Sequence, residues 1–555
     1  MKVLFWSLFF CFILSLSSVA AAGGKPSAAA IASAHPLATE AGHRILDAGG
    51  NAFDAAVAVS AVLAVVEPYS SGIGGGGFWL LHRASDGFEV MVDGRERAPL
   101  AAHRDLYLDE SGKVKPGISI NGPLAAGIPG EPAALVHIAE KYGRLPLKTT
   151  LAPAVRLARD GFRVDDFYLR MAGWRLKALR QGGDAKGIFL NAGELPAVDA
   201  LLRQPDLSRT LAALAEKGRE GFYQGEVASR LVEGIRQAGG IWTLKDLQEY
   251  QVIEREPVRG EYRGLKITSA ALPSSGGIVL VSMLNMLQGL GLESADEATR
   301  IHLIIEAMRR AYRDRADYMG DPDYVDVPVA ALIHPWYAAG LARDIQRDRA
   351  TPSVGNTGGS AEGRDTTHFS ILDREGNRVS ATLSINYPFG SGFVPPGTGV
   401  LLNDEMDDFS ARPGIPNVYG LVGGEANAIA PGKRMLSSMS PTFVASEEGV
   451  AILGTPGGSR IITMLLLGVL ELADGKGPQA WVNRPRFHHQ YLPDQVQFEH
   501  GALEDEVRTK LSAMGHSLKP LDSSYGNMQA VYWNRRSGEV SAASDPRGIG
   551  EAQVR

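Results

Sequence analysis

The sequence predicts a chain of mixed α and β structure, an α+β fold, on two signals. Several segments carry the 3.6-residue spacing of helices, and one pair of alternating, β-branched runs flanks a turn and reads as a hairpin. The 555 residues are 45% hydrophobic and 21% charged, with 56 basic and 62 acidic side chains giving a net charge of −6. These are ordinary proportions for a globular protein. At roughly 100–200 residues per domain the length gives two to five domains or one large intimate fold, with a substantial core either way. Charges of both signs are interspersed, so no basic stripe is offered to a phosphate backbone and no nucleic-acid partner is expected. No internal repeat at solenoid periods is found.

The chain opens with Met1-Lys2, an apolar run from Val3 to about Val19, and Ala20-Ala21-Ala22 before Gly23-Gly24. Residues 1–22 therefore read as a secretory signal peptide cut after Ala22, with the product periplasmic or secreted. The single cysteine, Cys11, lies inside that segment, which leaves the exported part without a disulfide or a lipid-modified N-terminus. No later run approaches the roughly 20 apolar residues of a membrane span, so no stable anchor is expected after cleavage.

From Leu37 two helices follow, the first ending at Gly49-Gly50 and the second, Ala52–Val66, apolar on nearly every side and hence buried. Helical spacing returns at 131–141, 151–159, 226–238, 278–290 and 295–318, with short β-like stretches between. Between about Asp348 and Gly363 the composition shifts to small and polar residues that cannot enter a core, which predicts a mobile linker. The hairpin comes next: runs 366–372 and 378–386 around Asp373-Arg374-Glu375-Gly376-Asn377. A turn centred on Glu375 pairs residues whose numbers sum to 750, so Thr366 faces Ser384 and lies diagonal to Asn386, all on one face.

Gly72-Ile73-Gly74-Gly75-Gly76-Gly77 has the spacing GxGxxG, but it follows a helix and precedes a strand, the reverse of a dinucleotide fingerprint. Close backbone packing beside a site explains it better. His488-His489 would point to opposite faces of a strand, and no metal-ligand spacing is found. The informative feature is a threonine opening a strand directly after a flexible linker. An internal Thr hydroxyl is a poor nucleophile, whereas a chain-terminal Thr carries its own α-amino base, with an ordinary pKa of about 7.7–8. Taken alone, Thr366-Thr367 is also explained by β-propensity.

The wider pattern decides. Thr366-Thr367-His368-Phe369-Ser370, Asn386 with Phe389-Gly390, the run from Leu401 to Ser410, Pro431-Gly432-Lys433-Arg434-Met435-Leu436-Ser437-Ser438-Met439-Ser440-Pro441-Thr442 and Gly457-Gly458-Ser459-Arg460 together resemble the gamma-glutamyltranspeptidase family. Segments 33–68, 72–78 and Asp93-Gly94-Arg95-Glu96 extend the resemblance over nearly the whole chain.

The resemblance implies a four-layer αββα N-terminal nucleophile hydrolase fold formed jointly by two subunits of one precursor. The precursor would cut itself between Asp365 and Thr366, giving a large subunit 23–365 that ends in the linker 348–365 and a small subunit 366–555, paired as a heterodimer. Thr366 would be the nucleophile, hydrogen-bonded to Ser384, where the family commonly has Thr. Gly457 and Gly458, placed before a helical run, would form the oxyanion hole. Arg95 with Ser437 and Ser438 would grip the α-carboxylate of a γ-glutamyl group, and Glu405, Asp408 and Asn386 its ammonium, in separate places. The segment 410–424 would cover the pocket, with Tyr419 reaching toward Asn386. Substrates would be glutathione and related amides, with water or amino acid and dipeptide amines as acceptors; no cofactor or metal is implied. Two alternatives stay open: a glutaryl or cephalosporin acylase of the same fold, and an uncleaved, inert binding homologue.

Overall fold

A computed structural model describes residues 24–355 and 366–555. The expected signal peptide, Asp365, and residues 356–365 of the expected linker lie outside the described residues. No helix among the described residues is long and apolar enough to cross a membrane.

Two antiparallel sheets form the centre. The seven-stranded sheet runs, edge to edge, through Glu551–Val554, Ala30–Ser33, Thr367–Leu372, Arg378–Ser384, Gly76–Arg83, Phe88–Gly94 and Ile253–Arg255. The six-stranded sheet runs through Val540–Ser544, Gln529–Asn534, Gly449–Gly454, Thr442–Ala445, Leu265–Ser269 and Val258–Tyr262. Segments before and after Thr366 contribute strands to both sheets. The hairpin register is the one the turn dictates, with Ile371 opposite Val379, Phe369 opposite Ala381 and Thr367 opposite Leu383.

Side-chain alternation assigns the layers. Ile31, Trp79, Leu81, Phe369, Ile371 and Val379 of the first sheet pack against the helices Pro36–Asp47, Ala52–Val66 and Glu131–Tyr142. Asn51 starts Ala52–Val66 with a capping box to Asp54, and all fifteen residues are buried. The helices Gly276–Gln288, Glu297–Tyr318 and Ile461–Ala473 share the second core with the six-stranded sheet. The hairpin also carries polar contacts: His368 Nδ1 lies 2.8 Å from Thr382 Oγ1 on the neighbouring strand, and Ser380 donates across to the Leu453 carbonyl of the six-stranded sheet. Burial lowers the His368 pKa to about 3, so the ring is neutral there.

The expected mobile linker needs one correction. Residues 348–355 are held by the core: Thr351 N–H donates to Glu306, Ser353 N–H to Asp494, and Arg310 to the Thr351 hydroxyl. Low hydrophobicity forbade burial of side chains there, but small polar residues serve well as backbone and hydroxyl partners of a buried ion-pair network.

Candidate active site

Thr366 stands immediately before the strand Thr367–Leu372, in the middle of the seven-stranded sheet, and is 6% exposed. Its hydroxyl lies 3.1 Å from Ser384 Oγ, the partner the register demands. Ser384 Oγ also accepts the Asn386 N–H at 2.8 Å, which fixes it between the two. Thr366 has φ of +101°, a region closed to β-branched residues without strain, and Asn386 has φ of +72°. Glycines let the neighbouring backbone approach: a Cβ on Gly75 would lie 2.2 Å from the Ser384 carbonyl oxygen and one on Gly74 would lie 2.0 Å from that of Leu401. The glycine run is thus packing beneath the hairpin.

One cavity gathers the expected residues. Thr366, Ser384, Asn386, Glu405, Asp408 and Arg95 line it together with Ser437, Ser438, Gly458 and Tyr419. Gly457 is not among the lining residues. Tyr419 donates to the Asn386 carbonyl at 3.0 Å, and Gln490 holds the Tyr419 carbonyl at 3.2 Å. Gly457 and Gly458 have φ of +137° and +56°, and a Cβ on Gly458 would come within 2.9 Å of the Tyr419 ring. The short turn Gly458–Arg460, in which the Arg460 N–H donates to the Gly457 carbonyl and the Ile461 N–H to that of Gly458, leads into the apolar helix Ile461–Ala473. Tyr312 donates to the Ser459 carbonyl and pins the turn.

The electrostatics differ from the expected separation of charges. Arg95, 1% exposed, donates through Nη1 to Glu405 at 2.5 Å, through Nη2 to Asp408 at 2.6 Å, and through Nε to the Met435 carbonyl at 3.2 Å. A buried guanidinium with neighbouring buried carboxylates pairs with them, because leaving either uncompensated costs more. The same Nη1 lies 3.5 Å from Glu96, so this one guanidinium sits among three carboxylates. Burial raises the Glu405 pKa to about 7 against the pull of Arg95, and pushes adjacent Glu96 well above the usual carboxylate range.

Two residues here were not found from sequence. Glu67, at the end of the helix Ala52–Val66, accepts the Thr367 hydroxyl at 2.6 Å and lines, with Thr366, a second cavity of about 220 Å³; burial raises its pKa to about 7. Its signal was a carboxylate ending an all-apolar helix. Arg315, on the helix Glu297–Tyr318, donates to Ser438 Oγ at 3.3 Å. Elsewhere, potential ligand atoms of His302, Glu306 and His516 come within 4.8 Å of one another, a grouping no local spacing announces. They are engaged within the protein, His302 with His516 and the Gln346 carbonyl, Glu306 with Arg309 and Arg310. His488 and His489 turn to separate partners, Thr463 with Gln490 and Asp494.

Comparison with known proteins gives a consistent result. Residues 38–554 match the family model described as Gamma-glutamyltranspeptidase. A glutathione hydrolase proenzyme of Escherichia coli (strain K12) is 41% identical over 527 residues, covering 94% of this chain and 90% of that protein. Among solved structures, a cephalosporin acylase from Bacillus halodurans superposes with a TM-score of 0.85 at 28% identity, covering 95% of this chain and 96% of that one. A Helicobacter pylori gamma-glutamyltranspeptidase gives 0.56 at 41% identity, covering 57% of this chain and 92% of that one.

Proposed function

We propose how this chain, which belongs to the gamma-glutamyltranspeptidase family, performs its reaction: a self-made N-terminal threonine carries the γ-glutamyl group. The chain is an enzyme, a gamma-glutamyltransferase and glutathione hydrolase. The observation that carries the mechanism is the Thr366 hydroxyl, 3.1 Å from Ser384, in the wall of a cavity that also holds buried Arg95 and its two carboxylates.

Processing comes first. Thr366 Oγ attacks the Asp365 carbonyl carbon; the Oγ–C bond forms, the peptide C–N bond breaks, and the nitrogen takes up the proton to become an α-amine. Water then hydrolyses the ester, leaving an Asp365 carboxylate and restoring the hydroxyl. Strain supports this direction. A β-branched residue at φ of +101° stores about 1–3 kcal/mol, and cutting the preceding bond abolishes that torsion. Strands shared across both sheets then hold the two segments together as a heterodimer.

In turnover the α-amine accepts the hydroxyl proton while Oγ attacks the γ-glutamyl carbonyl. The amide C–N bond breaks, and the same proton passes to the leaving nitrogen. Ser384 orients Oγ, and backbone N–H groups at Gly457-Gly458 receive the oxyanion, a contribution typically worth about 3–4 kcal/mol. The substrate's charges replace pairs inside the protein. Its ammonium takes over Glu405 and Asp408, with Asn386 beside them, and its carboxylate takes over the freed guanidinium of Arg95 along with Ser437 and Ser438. Water or an amino acid or dipeptide amine then attacks the acyl carbon, the C–Oγ bond breaks, and the incoming nucleophile's proton returns to Oγ. The segment 410–424, carrying Tyr419, closes over the bound group. The leader 1–22 directs the enzyme out of the cytoplasm.

The carboxylates of Glu405 and Asp408 in the cavity wall support this reading over a glutaryl or cephalosporin acylase, since a glutaryl group has no ammonium to meet them. Release rates from γ-glutamyl and glutaryl anilides test the point: the glutamyl compound reacts faster here, and the reverse order removes the glutamyl assignment.

A further inference from the structure

We propose that Arg315 is a positioning residue for substrate recognition: from behind the cavity wall it aims the Ser437–Ser438 pair so that both hydroxyls donate to the α-carboxylate. This rests on the glutamyl reading above. Arg315 is 5% exposed, yet among the described residues its side-chain hydrogen bonds go to hydroxyls and it forms no ion pair. Burying a guanidinium without an anion is costly, so its retention calls for a compensating role or charge nearby. Burial indeed lowers its pKa, with Tyr312 and Asp408 opposing the shift.

The bonding pattern gives the role. Arg315 Nε donates to Ser275 Oγ at 3.0 Å, and Ser275 passes the constraint on, its hydroxyl donating to the Ser437 carbonyl at 2.8 Å and its N–H to the same oxygen at 2.9 Å. Arg315 Nη2 donates to Ser438 Oγ at 3.3 Å. A guanidinium only donates, so Ser438 Oγ is the acceptor in that bond and its own hydrogen is left for another partner. Ser437 Oγ is in the same state, because it accepts the Met439 N–H at 3.0 Å. Both serines line the cavity beside Arg95. Two hydroxyls that each already accept one hydrogen bond and keep their own hydrogens to donate, backed by a buried positive charge, form a receptor for an anion.

The test compares L-glutamate with 4-aminobutyrate, which keeps the amine and the γ-carboxylate but lacks the α-carboxylate, as competitive inhibitors of γ-glutamyl anilide hydrolysis. In Arg315→Met, the glutamate Ki and the anilide KM rise about tenfold, the 4-aminobutyrate Ki moves less than about twofold, and kcat at saturation falls much less than KM rises. Arg315→Lys, which keeps the charge, recovers part of the glutamate preference. An equal rise for both inhibitors, or no change in either, overturns the proposal. If Arg315→Met does not fold, Ser275→Ala removes the hydroxyl that relays Arg315 to the Ser437 carbonyl while leaving the backbone N–H bond to that oxygen, and the same selective loss, smaller in size, is required of it. A wild-type enzyme without γ-glutamyl hydrolysis would instead sink the functional reading itself.

Discussion

Replacing Arg95 by Met separates what the charge cluster does for the fold from what it does for the reaction. The substitution removes two charge-assisted hydrogen bonds, to Glu405 and Asp408, and a third to the Met435 carbonyl, from a site 1% exposed. Breaking a buried ion pair by deleting one partner costs about 3–5 kcal/mol, because the remaining charge has no compensation. That cost depends on pH. Glu405 already titrates near 7 with the guanidinium present, and without it the value rises further. A carboxyl whose folded pKa exceeds its unfolded value binds a proton that the unfolded chain has released, so stability falls as pH rises from about 4.5 through the folded pKa. The deficit is therefore larger at pH 8 than at pH 5. Denaturant titrations of wild type, Arg95→Met, and the triple variant Arg95→Met/Glu405→Gln/Asp408→Asn at both pH values measure it. The triple variant regains most of the stability but none of the activity, since kcat/KM for γ-glutamyl anilide falls about 10²–10⁴-fold with the loss of two charged hydrogen bonds of about 1.5–3 kcal/mol each. An Arg95→Met protein as stable as wild type at pH 8, or a triple variant no more stable than the single one, refutes the reasoning.

Ser384→Ala removes a side chain hydrogen-bonded to the Thr366 hydroxyl and the acceptor of the Asn386 N–H, so kcat falls about tenfold or more with KM little changed, while Ser384→Thr stays near wild type; steady-state kinetics of both decide this. Glu131 is fully buried, neither carboxylate oxygen has a hydrogen-bond partner among the described residues, and burial raises its pKa from 4.5 to about 8. Stability should thus fall as pH rises across that window by at most about 5 kcal/mol, and Glu131→Gln should flatten the dependence in thermal unfolding from pH 5 to pH 9.

Where short-range rules applied, the sequence was readable. The five-residue turn fixed the hairpin register, and with it the meeting of Thr366 and Ser384, because period-two alternation leaves no freedom once a turn is placed. The order helix, glycines, strand was legible and stands in the structure, and the close carbonyl contacts of Gly74 and Gly75 supply the reason for the glycines. Long-range electrostatics were not readable. Arg95 meets Glu405 and Asp408 across some 310 residues of chain, and no local pattern says that opposite charges in one pocket will satisfy each other. Arg315 and Glu67 escaped for the same reason, being polar ends of helices whose importance comes only from what tertiary packing sets beside them. The linker failed differently: composition excluded side-chain burial at 348–355, but not backbone hydrogen bonds to Glu306 and Asp494.

The central claim is that Thr366 acts only after becoming a chain terminus. Intact-mass measurement and N-terminal sequencing of the fragments of freshly purified, active enzyme, beside Thr366→Ala, test it most directly. Wild type should yield a smaller fragment beginning at Thr366, with activity rising in step with its formation, and Thr366→Ala should remain one chain without activity. A fully active enzyme whose backbone is unbroken between Asp365 and Thr366 would contradict the account.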